Sequence, residues 1–315
     1  MDQFKLNEDL TLKEIVEYGC KHVDIGTAIL PKPLFVKDWD EYDDDDGHDG
    51  HDGMNEDGMI PPATIDVATT FNDTSTSSRK TTTTTQYSRV VEREFNAIVI
   101  EHHLKWSPLC YELPGPNIDG SKSTRLGRYD FYHVDQMVDW ALARNIKVKG
   151  HVLVWHVTSP VELLEPLTPH QVKEELKRHI YTTMGHFKGR IKVWDVVNEA
   201  LAPDGTLADT IFLRKLGPSY IEDAFRWAHD ADPTAILLYN DNKVEGGDVR
   251  KSEAFYNLLR DLVLRGVPIH GAGMQAHINA AGNTPTKQCP TPTQIKQQIH
   301  RIGKLGLKVS TVLKF

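Results

Sequence analysis

The feature that most constrains this chain is an alternation of two patterns. Short apolar, β-branched runs fall at residues 22–29, 95–101, 146–156, 193–198, 236–240, 269–277 and 307–313. Between most of them lie helical stripes. Val134, Met137, Val138, Ala141 and Leu142 follow the i, i+3, i+4, i+7, i+8 spacing, and so do Phe255, Leu258, Leu259, Leu262 and Val263. Thr168-Pro169 and Thr291-Pro292 read as N-cap and first-turn proline pairs that start two further helices. Strands alternating with helices imply parallel pairing through right-handed crossovers. Seven such units predict an α/β fold, a (β/α)8 TIM barrel lacking its eighth βα unit. A doubly wound open sheet is the alternative. It loses support because no G-x-G-x-x-G follows the first strand and no phosphate-binding G-x-x-x-x-G-K-[ST] occurs.

One segment breaks the alternation. Residues 34–86 pass through Asp43-Asp44-Asp45-Asp46-Gly47-His48-Asp49-Gly50-His51-Asp52-Gly53 and end in a run of threonines. Such a composition buries too little apolar surface to offset the entropy of ordering it, so a disordered acidic and Ser/Thr-rich insertion after the first strand is expected. The domain reading is therefore residues 1–33 for the first strand and helix, 34–86 for the insert and 87–315 for strands two to seven. A calcium loop fails on spacing. With Gly47 at its sixth position, Tyr42 stands first; with Gly53 there, His48 stands first and Gly50 third. Weak, nonspecific metal binding by the Asp/His string is the alternative to a plain solvated loop. The insert also explains the charge. The chain is −8 overall, yet residues 38–57 hold eleven Asp/Glu and no Lys/Arg, leaving 36 basic against 33 acidic residues elsewhere.

A nearly neutral body without basic runs predicts no nucleic-acid partner. No run of apolar residues is long enough to cross a bilayer, so no membrane partner is expected. The first residues carry no apolar stretch of the secretory kind. Cys20, Cys110 and Cys289 are odd in number and widely spaced, which fits a reducing compartment rather than a disulfide scaffold. Asn72-Asp73-Thr74 matches a glycosylation acceptor but carries little weight without a leader. A monomer without cofactor is expected.

In a barrel, chemistry sits at the C-terminal ends of strands, and here those ends are polar. The second run ends Glu101-His102-His103-Leu104-Lys105-Trp106, and the third carries Gly150-His151-Val152-Leu153-Val154-Trp155-His156. The fourth ends Trp194-Asp195-Val196-Val197-Asn198-Glu199-Ala200, the fifth Tyr239-Asn240-Asp241-Asn242, and the sixth Gln275-Ala276-His277. Five consecutive ends bearing carboxylate, amide, imidazole or indole suggest hydrogen-bond partners for a polyhydroxylated ligand, with tryptophans to stack on sugar faces. Each residue also has a plainer reading: Lys105 as a solvated surface lysine, Trp155 as core filler, His151 as a satisfied buried histidine. His103 and His156 are read as structural. So is Asp195, because strand alternation turns it away from the neighbours of Asn198. His102-His103 has no third ligand at metal spacing, so no catalytic metal is expected.

These strings, in this order, resemble the catalytic domain of glycoside hydrolase family 10, the endo-1,4-β-xylanases, over roughly residues 87–311. W-D-V-V-N-E is the most specific of them. The resemblance implies a retaining double-displacement hydrolysis of β-1,4-xylosidic bonds, with xylan or xylo-oligosaccharide as partner. It implies that Glu199 is the general acid/base, its pKa raised by desolvation and by the like charge of a second carboxylate. Asn198 corresponds to the residue that holds the sugar 2-OH. Glu101, Lys105, His151 and Trp155 correspond to residues lining the sugar subsite beside the cleavage point. Gln275 and His277 correspond to partners of the nucleophile and the sugar.

The resemblance stops short of the second carboxylate. The nucleophile is expected at the end of the seventh strand, where this chain reads Leu305-Gly306-Leu307-Lys308-Val309-Ser310-Thr311-Val312-Leu313-Lys314-Phe315. Ungapped counting places Leu313 at that position, and one gap places Val312 there. Neither is a carboxylate, so no glycosyl-enzyme is expected, and a non-catalytic oligosaccharide-binding protein is the alternative function. Loss of resemblance within four residues is what a frameshift, a misplaced splice junction or a premature stop would produce. A smaller departure is His102, where the family usually has asparagine. Unpaired edges on the first and seventh strands are expected to be an aggregation hazard.

Overall fold

The computed structural model describes residues 26–30, 34–35, 85–110, 127–246, 249–277 and 289–311. Two units are distinguished, one of residues 1–31 and 90–315 and one of residues 32–89. Of the stretch 34–86, residues 36–84, the Asp/His string and Asn72 among them, lie outside the described residues, and so do Cys20 and the positions Val312 and Leu313; Leu34 and Thr85 at its ends are buried.

Seven parallel strands form one sheet: β1 (Gly26–Ile29), β2 (Ala97–Ile100), β3 (Lys147–Val154), β4 (Val193–Asn198), β5 (Ile236–Asp241), β6 (Gly271–Met274) and β7 (Lys308–Thr311). Each lies within its sequence-predicted run or one residue beyond it. Each pairs with the next in chain order, so the sheet has no switch in strand order. That excludes the doubly wound alternative, whose order must reverse. The sheet is also curled. Lys149 Nζ on β3 lies 3.4 Å from Ser310 Oγ on β7. In a flat sheet those strands would be four spacings apart, roughly 19 Å, beyond the reach of a lysine. The described residues thus form a (β/α)8 barrel without its eighth βα unit, with β1 and β7 as its edges.

The helices are α1 (Gln86–Glu94), α2 (Trp106–Leu109), α3 (Tyr132–Leu142), α4 (Val161–Leu164), α5 (Pro169–His186), α6 (Ile211–Leu216), α7 (Tyr220–Ala231), α8 (Val249–Leu264) and α9 (Pro292–Lys304). Their starts follow from local chemistry. Thr168 and Thr291 each accept from the backbone N–H three residues on, while Gln171 and Gln294 bond back to the cap residue. Both are complete capping boxes with proline in the first turn. The stripe of α3 is buried through Val134, Met137, Val138 and Ala141, and that of α8 through Phe255, Leu259 and Leu262.

Packing at the centre of the sheet is tight enough to demand glycine at two positions. A Cβ on Gly150 of β3 would stand 2.2 Å from the Trp194 ring, and one on Gly273 of β6 would stand 2.2 Å from Asn240 Oδ1. Bare backbone there lets Trp194 and Asn240 lie across the neighbouring strands. β4, β5 and β6 are almost wholly buried, whereas β7 is partly exposed along its length. No helix among the described residues is long and apolar enough to cross a membrane.

Candidate active site

The site is built where β4 stops. Asn198 is the last residue of the strand, and Glu199 follows with φ of +55°. A side chain with a Cβ in this region costs about 1–3 kcal/mol, and such strain persists only where surrounding bonds fix it. Here Glu199 N donates to Asn240 O (3.0 Å), and Leu201 N donates to Asp241 Oδ2 (3.3 Å). The turn brings the half-buried Glu199 carboxylate between two strand ends. Trp155 Nε1, just beyond β3, donates to Oε2 at 3.0 Å, and Gln275 Nε2, just beyond β6, donates to Oε1 at 2.8 Å. The side chain of Asn242, just beyond β5, is a further polar group that lowers the Glu199 pKa.

These bonds overturn one expectation. Burial is the largest influence on Glu199 and pushes its pKa up, as the resemblance implies. It is outweighed by Gln275, Asn242 and Trp155 and by the charge of Lys251, so the carboxyl is held below the ordinary glutamate range. Among the described residues, no second carboxylate is one of the groups that set it.

Gln275 links Glu199 to its neighbours. Its Oε1 lies 2.7 Å from His277 Nε2, and its carboxamide lies 3.0 Å from that of Asn198, which in turn lies 2.9 Å from that of Asn240. Between Gln275 and His277, Ala276 takes φ of +45°, and its N–H donates to the buried Glu245 carboxylate at 2.6 Å. His277 itself is exposed.

The β3 side carries the aromatic and basic groups. Lys105 Nζ sits 4.9 Å from the Trp155 ring centroid, and the His151 ring lies 6.1 Å from that of Trp155. His151 Nδ1 is 2.9 Å from Asp195 Oδ2, and Lys149 Nζ is 2.9 Å from Asp195 Oδ1. Asp195 is therefore joined to a candidate site residue, contrary to the alternation argument. The reason is that β4 shifts register against β3 and β5 next to Asp195. Burial pushes its pKa up, but Lys149 and His151 outweigh this and hold it below the usual value. His156 also belongs nearer the site than its structural reading suggested. It is half-buried in the turn His156–Thr158, burial lowers its pKa, and the Glu199 and Asp241 carboxylates act in the opposite direction. Glu101 follows β2 with an exposed side chain, and its backbone N–H donates to Ile29 O. The structure thus gathers Glu199, Trp155, Gln275, Asn198, His277, Lys105 and His151 through direct neighbours, while Glu101 stands at the adjacent strand end.

Sequence reasoning quoted the Asn240–Asn242 string without giving it a role, and it passed over Lys251 and Lys149. Asp241 is fully buried with Lys251 Nζ at 2.8 Å and Tyr239 Oη at 2.5 Å. Lys251 stands one turn before Phe255 on the buried stripe of α8, and a lysine on an apolar stripe was the available signal. Among the described residues, no group of three His, Cys, Asp or Glu is placed to hold a metal.

With this geometry in hand, the comparisons with known proteins are direct. The model of glycosyl hydrolase family 10 matches residues 64–312, beginning inside the stretch that composition sets apart. The chain is 36% identical over 225 residues to endo-1,4-beta-xylanase B of Thermotoga neapolitana, covering 71% of this chain and 59% of the relative. It is 37% identical over 225 residues to a beta-1,4-xylanase of Dictyoglomus thermophilum, covering 71% and 57%. The chain thus spans about three fifths of the length of these curated relatives. The crystal structure of xylanase 10B from Thermotoga petrophila RKU-1 in complex with xylobiose superposes with a TM-score of 0.71 at 29% identity, covering 97% of this chain and 73% of that one. Fold, strand-end chemistry and these matches agree that the chain belongs to glycosyl hydrolase family 10.

Proposed function

We propose that the chain binds β-1,4-linked xylan or xylo-oligosaccharide across the C-terminal ends of β2–β6, on a domain made of residues 1–33 and 87–315. Glu199 is the general acid/base of a retaining endo-hydrolysis. In that role it protonates the departing glycosidic oxygen and then takes a proton from the incoming water. Asn198 holds the sugar 2-OH. Glu101, Lys105, His151 and Trp155 line the subsite beside the cleavage point, with the Trp155 ring for stacking and Lys105 and Glu101 for hydroxyls. Gln275 and His277 are partners of the nucleophile and of the sugar. The observation that carries this reading is the Glu199 carboxylate held at 3.0 Å by Trp155, just beyond β3, and at 2.8 Å by Gln275, just beyond β6, of a family 10 barrel.

The nucleophile half is the finer part of the proposal. The positions counted for it, Val312 and Leu313, are not carboxylates. Without one, no covalent glycosyl-enzyme forms and hydrolysis is impaired by orders of magnitude. A non-catalytic xylan-binding protein is the second reading, favoured by the same string and by the depressed Glu199 pKa. Incubation with xylohexaose, read by chromatography and by calorimetric binding, tests both. Binding with no shortened products is expected; a Glu199→Gln variant should bind equally. Rapid release of shorter oligosaccharides, abolished by Glu199→Gln, would show a working nucleophile and overturn the impairment. Absence of binding to any xylo-oligosaccharide would overturn the ligand assignment.

A further inference from the structure

Glu245 lies beyond the end of β5, is buried, and has no part in the proposed chemistry. Its Oε1 accepts the backbone N–H of Ala276 at 2.6 Å. Ala276 is buried too, and its φ of +45° lies where a residue with a Cβ is strained. The residues on either side of it both belong to the site. Gln275 N donates to Asp241 O at 3.0 Å, so β5 holds the chain as far as that residue. The next N–H goes to a side-chain carboxylate instead of a strand. After the turn, the His277 ring returns to 2.7 Å from Gln275 Oε1, while Gln275 Nε2 donates to Glu199 Oε1 at 2.8 Å. Glu245 is itself anchored on both sides. Val244 O accepts from Gln298 Nε2 of α9 at 3.0 Å, and Gly246 N donates to Ser252 Oγ of α8 at 3.1 Å. Gln298 Nε2 also donates to Ser252 O at 3.2 Å, which ties the two anchors together.

We propose that Glu245 is a positioning residue for Gln275 and His277. Reaching from the loop after β5, it holds Ala276 in the αL turn that sets Gln275 on Glu199 and folds His277 back on Gln275. The inference rests on the reading of Gln275 and His277 as sugar-site residues. A bond to a carboxylate is among the stronger ones available to a backbone N–H, and a strained turn between two site residues needs such an anchor. Glu245 acts through the Ala276 backbone, so what matters is the reach of its acceptor. Charge near the site is not the agent.

Two substitutions separate reach from charge. Glu245→Asp keeps the charge but withdraws the acceptor by about 1.5 Å, one carbon–carbon bond. Glu245→Gln keeps the reach and a carbonyl acceptor without the charge. The readouts, in the full chain, are NMR signals of the Gln275 carboxamide and the His277 ring, hydrogen exchange of the Ala276 amide, and calorimetric binding of xylohexaose. In the parent the Ala276 amide should be protected; free exchange there would overturn the anchor without any variant. In Glu245→Asp the Gln275 and His277 signals should move, Ala276 should exchange roughly tenfold faster and affinity should fall about tenfold. Glu245→Gln should stay near the parent in all of these. The reverse order, with Gln perturbed and Asp not, would overturn the proposal in favour of charge. Lowered melting temperatures with unmoved Gln275 and His277 signals would overturn it in favour of a structural role alone. The NMR readouts need no sugar. Signals that move as expected in a chain that binds no xylo-oligosaccharide would support the positioning and count against the ligand assignment only.

Discussion

The strand ends of β3–β6 and the end of β7 belong to the same curled sheet, yet they are furnished very differently. At the first, the Glu199 carboxylate is bonded by Trp155 and Gln275, its backbone N–H by Asn240 O of β5, and the amides of Asn198, Asn240 and Gln275 lock three strand ends together. At the second, the cross-sheet contact is the 3.4 Å approach of Lys149 to Ser310, and the strand is partly exposed. The lesson is about over-determination. A carboxylate in a strained αL turn can be held only where several strands supply donors, and Glu199 has that support. The counterpart at β7 carries Ser310 and Thr311, followed by a string without Asp or Glu.

The largest effect that can break this contrast is on stability. Asp195→Ala removes a buried carboxylate and leaves the half-buried Lys149 ammonium without its partner and His151 without its orienter, and it should cost about 3–5 kcal/mol. Ser310→Ala, at the far end of the same lysine, should stay within about 0.5 kcal/mol. Urea unfolding curves of the two variants decide it, and equal costs would erase the distinction. Next comes packing: Gly273→Ala drives a Cβ into Asn240 Oδ1. It should cost about 1–3 kcal/mol by overpacking and weaken oligosaccharide binding by displacing the amide beside Asn198. A variant that melts like the parent would show that β6 tolerates a side chain.

Binding gives a smaller effect. Trp155→Ala should lower xylo-oligosaccharide affinity roughly tenfold, about 1.4 kcal/mol. Lys105→Ala should lose less than the tryptophan does; calorimetry on both variants checks the ranking.

The smallest effect is on pH dependence. The Asp195 pKa is depressed below 3.8, so its contribution is present above that value and lost as pH falls through the folded one. Asp241 goes the other way. Burial raises its pKa despite Lys251, so its contribution is greatest at low pH and fades as pH rises through the folded value. Melting temperatures from about pH 3 to about pH 6 should therefore fall less steeply on the acid side in Asp195→Asn than in the parent. Parallel curves would mean that Asp195 carries no such linkage.

Much of this was legible in the sequence because periodicity and punctuation are local. Seven runs gave seven strands, and Thr168-Pro169 and Thr291-Pro292 gave two capped helices. What strict alternation could not give was the register shift beside Asp195, since it arises from how β4 lies against its neighbours. The direction of the Glu199 shift was missed for a similar reason. Burial can be guessed from a strand end, but donors from Trp155 and Gln275, on two other segments, converge only in the folded chain. Lys251 was visible as a misfit on an apolar stripe, yet its partner Asp241 is ten residues away, beyond any helical spacing.

The most direct test of the account is covalent trapping. The chain would be incubated with a 2-deoxy-2-fluoro-xylobioside bearing an activated leaving group, then weighed by mass spectrometry. The 2-fluorine slows turnover of a glycosyl-enzyme, so any working nucleophile accumulates the adduct. The account predicts a chain of unchanged mass at ligand concentrations that saturate binding. A mass gain of one fluoroxylobiosyl group, mapped to an Asp or Glu, would contradict it and show that the nucleophile half is present after all.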